Sequence, residues 1–230
     1  MHSAPLGRRA FAEFVGTGLL VAVVVGSGIA AQRLSVDHGL RLLENSLVTA
    51  MALPVLILMF GPISGGHFNP VVSIADWFLG RSRSYGISIR ELTAYLPAQV
   101  IGACAGALLA NAMFAQPNGL STHHRGGGHL WLGEVVATAG LLVVIFALAK
   151  THHSGQTPWA VGAYIGAAYW FTSSTSFANP AVTIGRMFSD SFAGIAPASM
   201  PGFVGAEIVG GAVGLALVAY LYPHRTEATS

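Results

Sequence analysis

The feature that most constrains this chain is an internal repeat, because three segments of the first half recur in the same order in the second. The pairs are FAEFVGTGLLVAVVV (11–25) with WLGEVVATAGLLVVIF (131–146), FNPVVSIADWF (68–78) with ANPAVTIGRMF (178–188), and AQVIGACAGALL (98–109) with AEIVGGAVGLAL (206–217). A preserved order of matches indicates two copies of one structural unit. We place the first repeat at about 8–115 and the second at about 130–223, inside a single domain, 1–230.

Each copy is apolar enough to lie in a membrane. The chain is 53% hydrophobic and only 9% charged, whereas soluble domains are roughly 25% charged. Runs of about 20 apolar residues cross the hydrocarbon core of a bilayer as helices. Such runs lie near 11–30, 44–62, 92–115, 131–149 and 202–222, with a shorter one at 157–173. The sequence therefore predicts six transmembrane helices, the first of them retained rather than cleaved as an export signal.

Three spans in each repeat determine how the repeats are related. An odd number of crossings returns the chain on the opposite side, so the second copy must be inverted relative to the first. Sites in such proteins lie where the repeats meet, near the middle of the bilayer. We therefore expect an all-α membrane protein with an inverted 3+3 repeat.

Two Asn-Pro pairs begin helices that are too short to span. Turn-forming residues, GPISGGH and TSSTS, precede the segments that contain Asn69 and Asn179, and about ten apolar residues follow each pair. Asparagine suits a helix N-cap and proline suits the first turn. Non-helical backbone survives at membrane depth only beside protein or a water-filled cavity. We expect two re-entrant half-helices that meet at their N-termini around such a cavity.

These motifs carry a family resemblance. Asn69-Pro70-Val71 and Asn179-Pro180-Ala181 occupy equivalent places in the repeat, and Ser64-Gly65-Gly66-His67-Phe68 precedes the first. In this the chain resembles the aquaporin/glycerol-facilitator family over nearly its whole length, with a mild departure at Val71. The form Asn-Pro-Ala-Val-Thr is similar to a prokaryotic aquaglyceroporin branch that accompanies arsenic resistance. The resemblance implies a homotetramer with one pore in each subunit.

The paired half-helices predict selection by charge. Each N-terminus carries about half a positive charge, so two that meet oppose a cation by about 3 kcal/mol at ~5 Å and an effective dielectric near 20. The side-chain amides of Asn69 and Asn179 can donate hydrogen bonds to a passing oxygen. An alternative is that both asparagines only cap their helices, whereas the resemblance implies that they do both.

The resemblance also implies a selectivity filter at four positions. They fall on Thr49, Ala167, Ser176 and Val182. The family usually has arginine at the last of these and often an aromatic residue or histidine at the first two, and this sequence has neither. We therefore expect a wide, weakly polar constriction.

Four ionisable residues near or inside the spans leave alternatives open. Asp76 and Arg186, each seven residues after its asparagine, either line the inner and outer vestibules or turn away to the membrane surface. Glu13 and Glu134 either support the unwound backbone by accepting its N–H groups, as the resemblance also implies, or relay protons.

The sequence predicts no disulfide, metal site or enzymatic activity. The single cysteine, Cys104, excludes an intrachain disulfide and disfavours a thiol-ligated metal site. We expect no metal, no cofactor and no nucleic-acid partner, and nothing resembles the nucleophile–base pair of an enzyme. Five loop histidines are interpreted as parts of polar loops, with metal binding or pH gating as the alternative: His123, His124, His129, His152 and His153.

The sequence thus predicts a passive channel for small uncharged solutes such as glycerol-like polyols, neutral trivalent arsenicals and water. A water-selective channel and a proton-coupled secondary transporter are the alternatives. The distribution of positively charged residues between the two sides favours a cell-membrane protein with both termini cytoplasmic. Seven would lie inside (Arg8, Arg9, Arg81, Arg83, Arg90, Lys150 and Arg225) and four outside (Arg33, Arg41, Arg125 and Arg186).

Overall fold

A computed structural model describes residues 4–81 and 86–223, and in these ranges the chain forms eight α-helices and no strand. Arg83 and Arg225, counted above, lie outside the described residues. The helices are α1 (Leu6–Leu34), α2 (His38–Ser64), α3 (Pro70–Gly80), α4 (Ile89–Met113), α5 (Gly128–Lys150), α6 (Thr157–Phe171), α7 (Pro180–Gly185) and α8 (Met200–Leu221). Short 3-10 turns cover Ser154–Gln156 and Arg186–Phe188.

The helix lengths confirm the predicted architecture. Five helices, α1, α2, α4, α5 and α8, are long and apolar enough to cross a membrane. The sixth predicted span, α6, has only 15 residues, a length of about 22 Å at the rise of an α-helix. We call the side of the membrane on which α1 begins the N-terminal side, and the other the far side.

The two half-helices are α3 and α7, and they differ in length. The first has 11 residues, close to the expected ten. The second has six residues and continues as the 3-10 turn. Gly185 ends it, and glycine is a poor helix former. A Cβ at Gly185 would lie 2.7 Å from the carbonyl oxygen of Ala103, so only glycine fits against α4 there.

Glycines bring helix backbones into contact along one seam of each repeat. In the first repeat, Gly102 and Gly106 of α4 lie against the carbonyl groups of Phe14 and Gly18 in α1, where a side chain would have no room. In the second repeat the same seam joins α8 to α5. There the glycines are Gly210 and Gly214, and they face the carbonyl groups of Val135 and Ala139. Small residues permit this close approach in membranes.

The segments that lead into the half-helices have an unusual backbone. Phe68 and Ala178 each have φ of 49°, and Thr175 and Ser176 have φ of 66° and 50°. This left-handed conformation costs a non-glycine residue about 1–2 kcal/mol. It leaves backbone N–H groups without helical partners, so other groups must accept them.

Buried carboxylates accept these N–H groups. In the first repeat, Glu13 of α1 accepts the N–H of His67 at 3.0 Å and that of Phe68 at 2.7 Å. It also accepts hydrogen bonds from the Ser64 hydroxyl at 2.6 Å and from the Gln99 amide at 2.8 Å. The side chain of Glu13 is fully buried. The transmembrane helices thus fix the path of the unwound chain.

The second repeat uses two carboxylates for the same purpose. Glu134 accepts the N–H of Phe177 at 2.9 Å and that of Ala178 at 2.7 Å. Glu207, which aligns with Gln99, accepts the N–H of Asn179 at 3.2 Å. Three consecutive N–H groups are therefore bound here.

Replacing Gly106 by alanine should destabilise the protein, because the added methyl group would meet the backbone of Gly18. We expect a loss of about 1–3 kcal/mol, read as a lower unfolding temperature in detergent. Gly205→Ala is the matched control, since nothing lies within 4 Å of a Cβ at that position. An equal effect of the two variants would contradict this account of the seam.

Replacing each of the two carboxylates of the second repeat by an amide should lower the free energy of unfolding by different amounts. Glu134→Gln turns an NH₂ group towards one of two backbone donors and should cost about 1–3 kcal/mol. Glu207→Gln keeps an oxygen for Asn179 and reproduces the residue found at position 99, so its change should stay below about 1 kcal/mol. Thermal unfolding of both variants measures the difference, and a larger loss for Glu207→Gln would refute it.

Candidate functional site

The two half-helices meet through a reciprocal pair of hydrogen bonds. The side-chain nitrogen of Asn69 donates to the carbonyl oxygen of Ala178 at 2.7 Å, and that of Asn179 donates to the carbonyl oxygen of Phe68 at 2.8 Å. Each asparagine thus binds the residue that precedes the other. The two Asn-Pro motifs are joined directly at the centre of the fold.

Each asparagine also caps its own helix. The side-chain oxygen of Asn69 accepts the N–H of Val71 at 3.0 Å, and that of Asn179 accepts the N–H groups of Ala181 and Val182 at 3.0 and 3.3 Å. Pro70 and Pro180 occupy the first helical positions. An asparagine amide has two N–H groups, and only one of each pair is bound within the described part of the chain.

A cavity of about 180 Å³ passes this junction. It extends from Asp76 and Thr157 near the N-terminal side to Tyr169 and Arg186 towards the far side. The unwound segments 65–69 and 176–179, which include the polar side chains of His67, Asn69, Ser176 and Asn179, line it. Much of the remaining wall is apolar and comes from spans of both repeats: Leu20, Val24, Leu53, Leu141, Ile145 and Ile165. The lining is therefore amphipathic.

Four side chains surround the far-side part of this cavity. The hydroxyl oxygen of Thr49 lies 3.3 Å from that of Tyr169, and Ser176 and Val182 also line the cavity. The hydroxyl group of Ser176 is buried and binds no described residue. Three of the four predicted filter positions are thus brought together.

The fourth predicted position, Ala167, was wrong. Ala167 is exposed on the outside of α6 and does not line the cavity, whereas Tyr169 does. Two residues correspond to a rotation of about 200° around a helix, so their side chains point in opposite directions. We expected no aromatic residue at the constriction, and this expectation was wrong as well. The hydroxyl group of Tyr169 makes the constriction more polar than predicted.

Arg186 does not turn away to the membrane surface. It is only 2% exposed, and its guanidinium carbon lies 3.4 Å from the centre of the Phe177 ring. Its Nε donates to the carbonyl oxygen of Ala193, and the residue lines the far end of the cavity.

Asp76 occupies the opposite mouth. Its carboxylate accepts the N–H of Ile87 at 2.8 Å and lies 4.0 Å from the ring of His67, which also lines the cavity. The two ends of the cavity therefore carry side chains of opposite charge.

One further residue at this site, Arg125, was predicted only as a cation of the far side. Its guanidinium carbon lies 5.3 Å from the Phe177 ring, so that ring has arginines at 3.4 and 5.3 Å. Arg125 donates to the carbonyl oxygens of Gly194 and Phe192 at 2.8 and 2.9 Å. These partners are almost 70 residues away along the chain, and no local motif indicates such a contact.

Comparisons with known proteins agree with this geometry. The sequence model of the family described as major intrinsic protein matches residues 1–178. The aquaglyceroporin AqpS of Rhizobium meliloti is 48% identical over 96% of this chain and 93% of its own. The glycerol uptake facilitator protein of Pseudomonas aeruginosa is 32% identical over 84% of this chain and 78% of its own.

The fold has a solved counterpart as well. The X-ray structure of the aquaglyceroporin from Plasmodium falciparum superimposes with a TM-score of 0.71, covering 93% of this chain and 96% of that one at 20% identity. With its inverted repeat, joined half-helices and lined cavity, this chain is a multi-pass membrane protein that belongs to the major intrinsic protein family.

Proposed function

We propose that the protein is a passive channel for small uncharged hydroxylated solutes: glycerol-like polyols, the neutral trihydroxide of trivalent arsenic, and water. The observation that carries the proposal is the amphipathic cavity at the Asn69–Asn179 junction. A polyol has hydroxyl groups along one side and C–H groups along the other. Carbonyl oxygens and the free amide N–H groups would replace water on the hydroxyl side, and the apolar wall would cover the carbon side.

Charge at the centre supports the exclusion of cations. Two helix N-termini meet there, and each contributes about half a positive charge. Arg186 adds a full charge at the far end of the cavity. An entering cation would have to lose water as well, at a cost of several kcal/mol.

A second candidate, a water-selective channel, is favoured by the constriction. Tyr169 and Arg186 both line the far part of the cavity, so an aromatic residue lies where Ala167 was expected and Arg186 takes the vestibule position that was one of its two alternatives. Both side chains add bulk to a passage that is lined by the smaller Val182. The choice between the two candidates depends on the size of the solutes that pass.

A proton-coupled transporter has less support. Glu13 and Glu134 use their oxygens to bind backbone N–H groups, and neither is among the residues that line the cavity. A proton carrier has to reach the path of the solute. We infer instead that both residues support the half-helices.

We further propose a cell-membrane protein with the N-terminal side in the cytoplasm. Arg8, Arg81 and Arg90 lie exposed on that side. Of the four cations assigned to the far side, Arg125 and Arg186 bind inside the fold and leave only Arg33 and Arg41 in the surface count. The same criterion removes Arg9 from the N-terminal side, since it is buried and paired with Glu91, and the remaining described cations still favour the N-terminal side as the cytoplasmic one. Assembly into a homotetramer is proposed from family resemblance, and exposed apolar side chains on α2 and α4 are consistent with a contact between copies.

Proteoliposomes that contain the protein should shrink in hyperosmotic glycerol and then re-swell faster than empty vesicles, and they should take up arsenite to equilibrium without a proton gradient. Stopped-flow light scattering and arsenic analysis of the vesicles measure the two fluxes. Fast water flux without permeation of either solute would favour the water-selective candidate. Accumulation beyond equilibrium would support a coupled transporter.

Val182→Arg should reduce glycerol flux by about tenfold, equivalent to about 1.4 kcal/mol of barrier, because it places a second cation and a longer side chain beside Tyr169. The matched control is Ala167→Leu, which adds bulk on the outer face of α6 and should leave flux unchanged. The same stopped-flow assay compares them. If Ala167→Leu blocked glycerol while Val182→Arg did not, the assignment of the constriction would be overturned.

A further inference from the structure

A second cavity lies beyond the constriction on the far side and is bordered by positively charged groups. Its volume is about 270 Å³. Arginines from three parts of the chain line it: Arg41 at the start of α2, Arg125 between α4 and α5, and Arg186 after α7. None of the described residues that line it is acidic. We call this space the far vestibule.

Within the described residues, all hydrogen bonds of these three guanidinium groups go to backbone carbonyl groups. The Nε atoms of Arg41 and Arg125 donate to the carbonyl oxygens of Ser35 and Gly194 at 2.7 and 2.8 Å, and Arg186 donates to Ala193. Among residues 4–81 and 86–223, no carboxylate lies within 4.0 Å of any of the three. Arg186 is buried, whereas Arg41 and Arg125 are partly buried. Buried charges are normally paired, but the carboxylates of Glu134 and Glu207 act on Arg125 and Arg186 only from beyond 4.0 Å.

Several of their N–H groups remain free. A guanidinium group has five N–H donors arranged as a planar fork. The terminal nitrogens of Arg41 and Arg186 bind no acceptor in the described part of the chain. Two N–H groups on one side of a guanidinium match two oxygens of a single anion. The free donors thus favour a ligand with at least two oxygens on one centre.

The surroundings keep the vestibule positive. The acidic residue Asp190, which acts electrostatically on His123, accepts the N–H and hydroxyl of Thr122 at 2.9 and 3.0 Å and does not line the vestibule. Burial lowers the pKa of Arg125 to about 10, so this side chain stays charged at pH 7. Partial burial, and then the charge of Arg125, lowers the pKa of His123, so the positive charge of the vestibule comes mainly from the arginines.

We propose that the far vestibule is a binding site for a small oxyanion, which the terminal nitrogens of Arg41, Arg125 and Arg186 hold. Because Arg186 lines both the vestibule and the central cavity, a bound anion stands at the far mouth of the pore. The site is independent of which neutral solute the pore conducts.

Calorimetric titration of the purified full chain with inorganic phosphate, at constant ionic strength, tests the site. We expect one saturable binding event for each chain, weakened by about tenfold in Arg41→Gln and in Arg125→Gln. Acetate in a parallel titration distinguishes a site that accepts carboxylates from one restricted to inorganic oxyanions. Arg90→Gln, which removes an exposed cation from the opposite side, should bind as the wild type does.

Two vestibule variants are used so that a loss of binding can be distinguished from a folding defect. Arg125 ties the loop to Gly194 and Phe192, whereas Arg41 has a single carbonyl partner, Ser35, so Arg41→Gln should keep the wild-type unfolding temperature. Absence of saturable binding, or equal affinity in Arg41→Gln and the wild type, would overturn the proposal. In vesicles, phosphate should slow solute flux through the wild type more than through Arg41→Gln, while the calorimetric result decides the site whatever the pore conducts.

Discussion

The pair of hydrogen bonds between the half-helices is the interaction on which the rest of the structure depends. Asn69 and Asn179 each bind the backbone just before the other, so neither half-helix can shift without breaking contacts at both. The bonds lie in a buried, low-dielectric place, where a lost partner is costly. They fix where two helix N-termini meet, and therefore where the field, the amide donors and the cavity lie.

That junction requires a backbone which would not be stable alone. Left-handed residues precede both asparagines, and the carboxylates of Glu13 and Glu134 accept the N–H groups that this conformation exposes. The stabilisation therefore comes from helices elsewhere in each repeat. The two repeats stabilise this backbone in similar but not identical ways, since the neutral amide of Gln99 in the first repeat corresponds to the carboxylate of Glu207 in the second.

The sequence was sufficient for the features that repeat. The two copies, the apolar lengths and the Asn-Pro pairs predict the inverted fold, because each rests on local pattern or on chain length. The constriction was harder to predict, since one or two residues on α6 decide whether Ala167 or Tyr169 faces inwards. The place of Arg125 at the site could not be predicted. It depends on how a glycine-rich loop folds onto residues 192–194, and no residue near Arg125 in the sequence indicates that contact.

The glycine seams have a mechanical consequence. Where α4 lies against the α1 backbone and α8 against the α5 backbone, no flexible side chains separate the helices. Close-packed backbones have little compressibility and cannot be pushed closer. The two pairs of helices thus form stiff units, and α1 and α5, which contribute residues to the lining of the pore, are backed by α4 and α8. Variation in what passes then comes from the side chains that line the cavity, such as Val182 and Tyr169, which can change without any rearrangement of the frame.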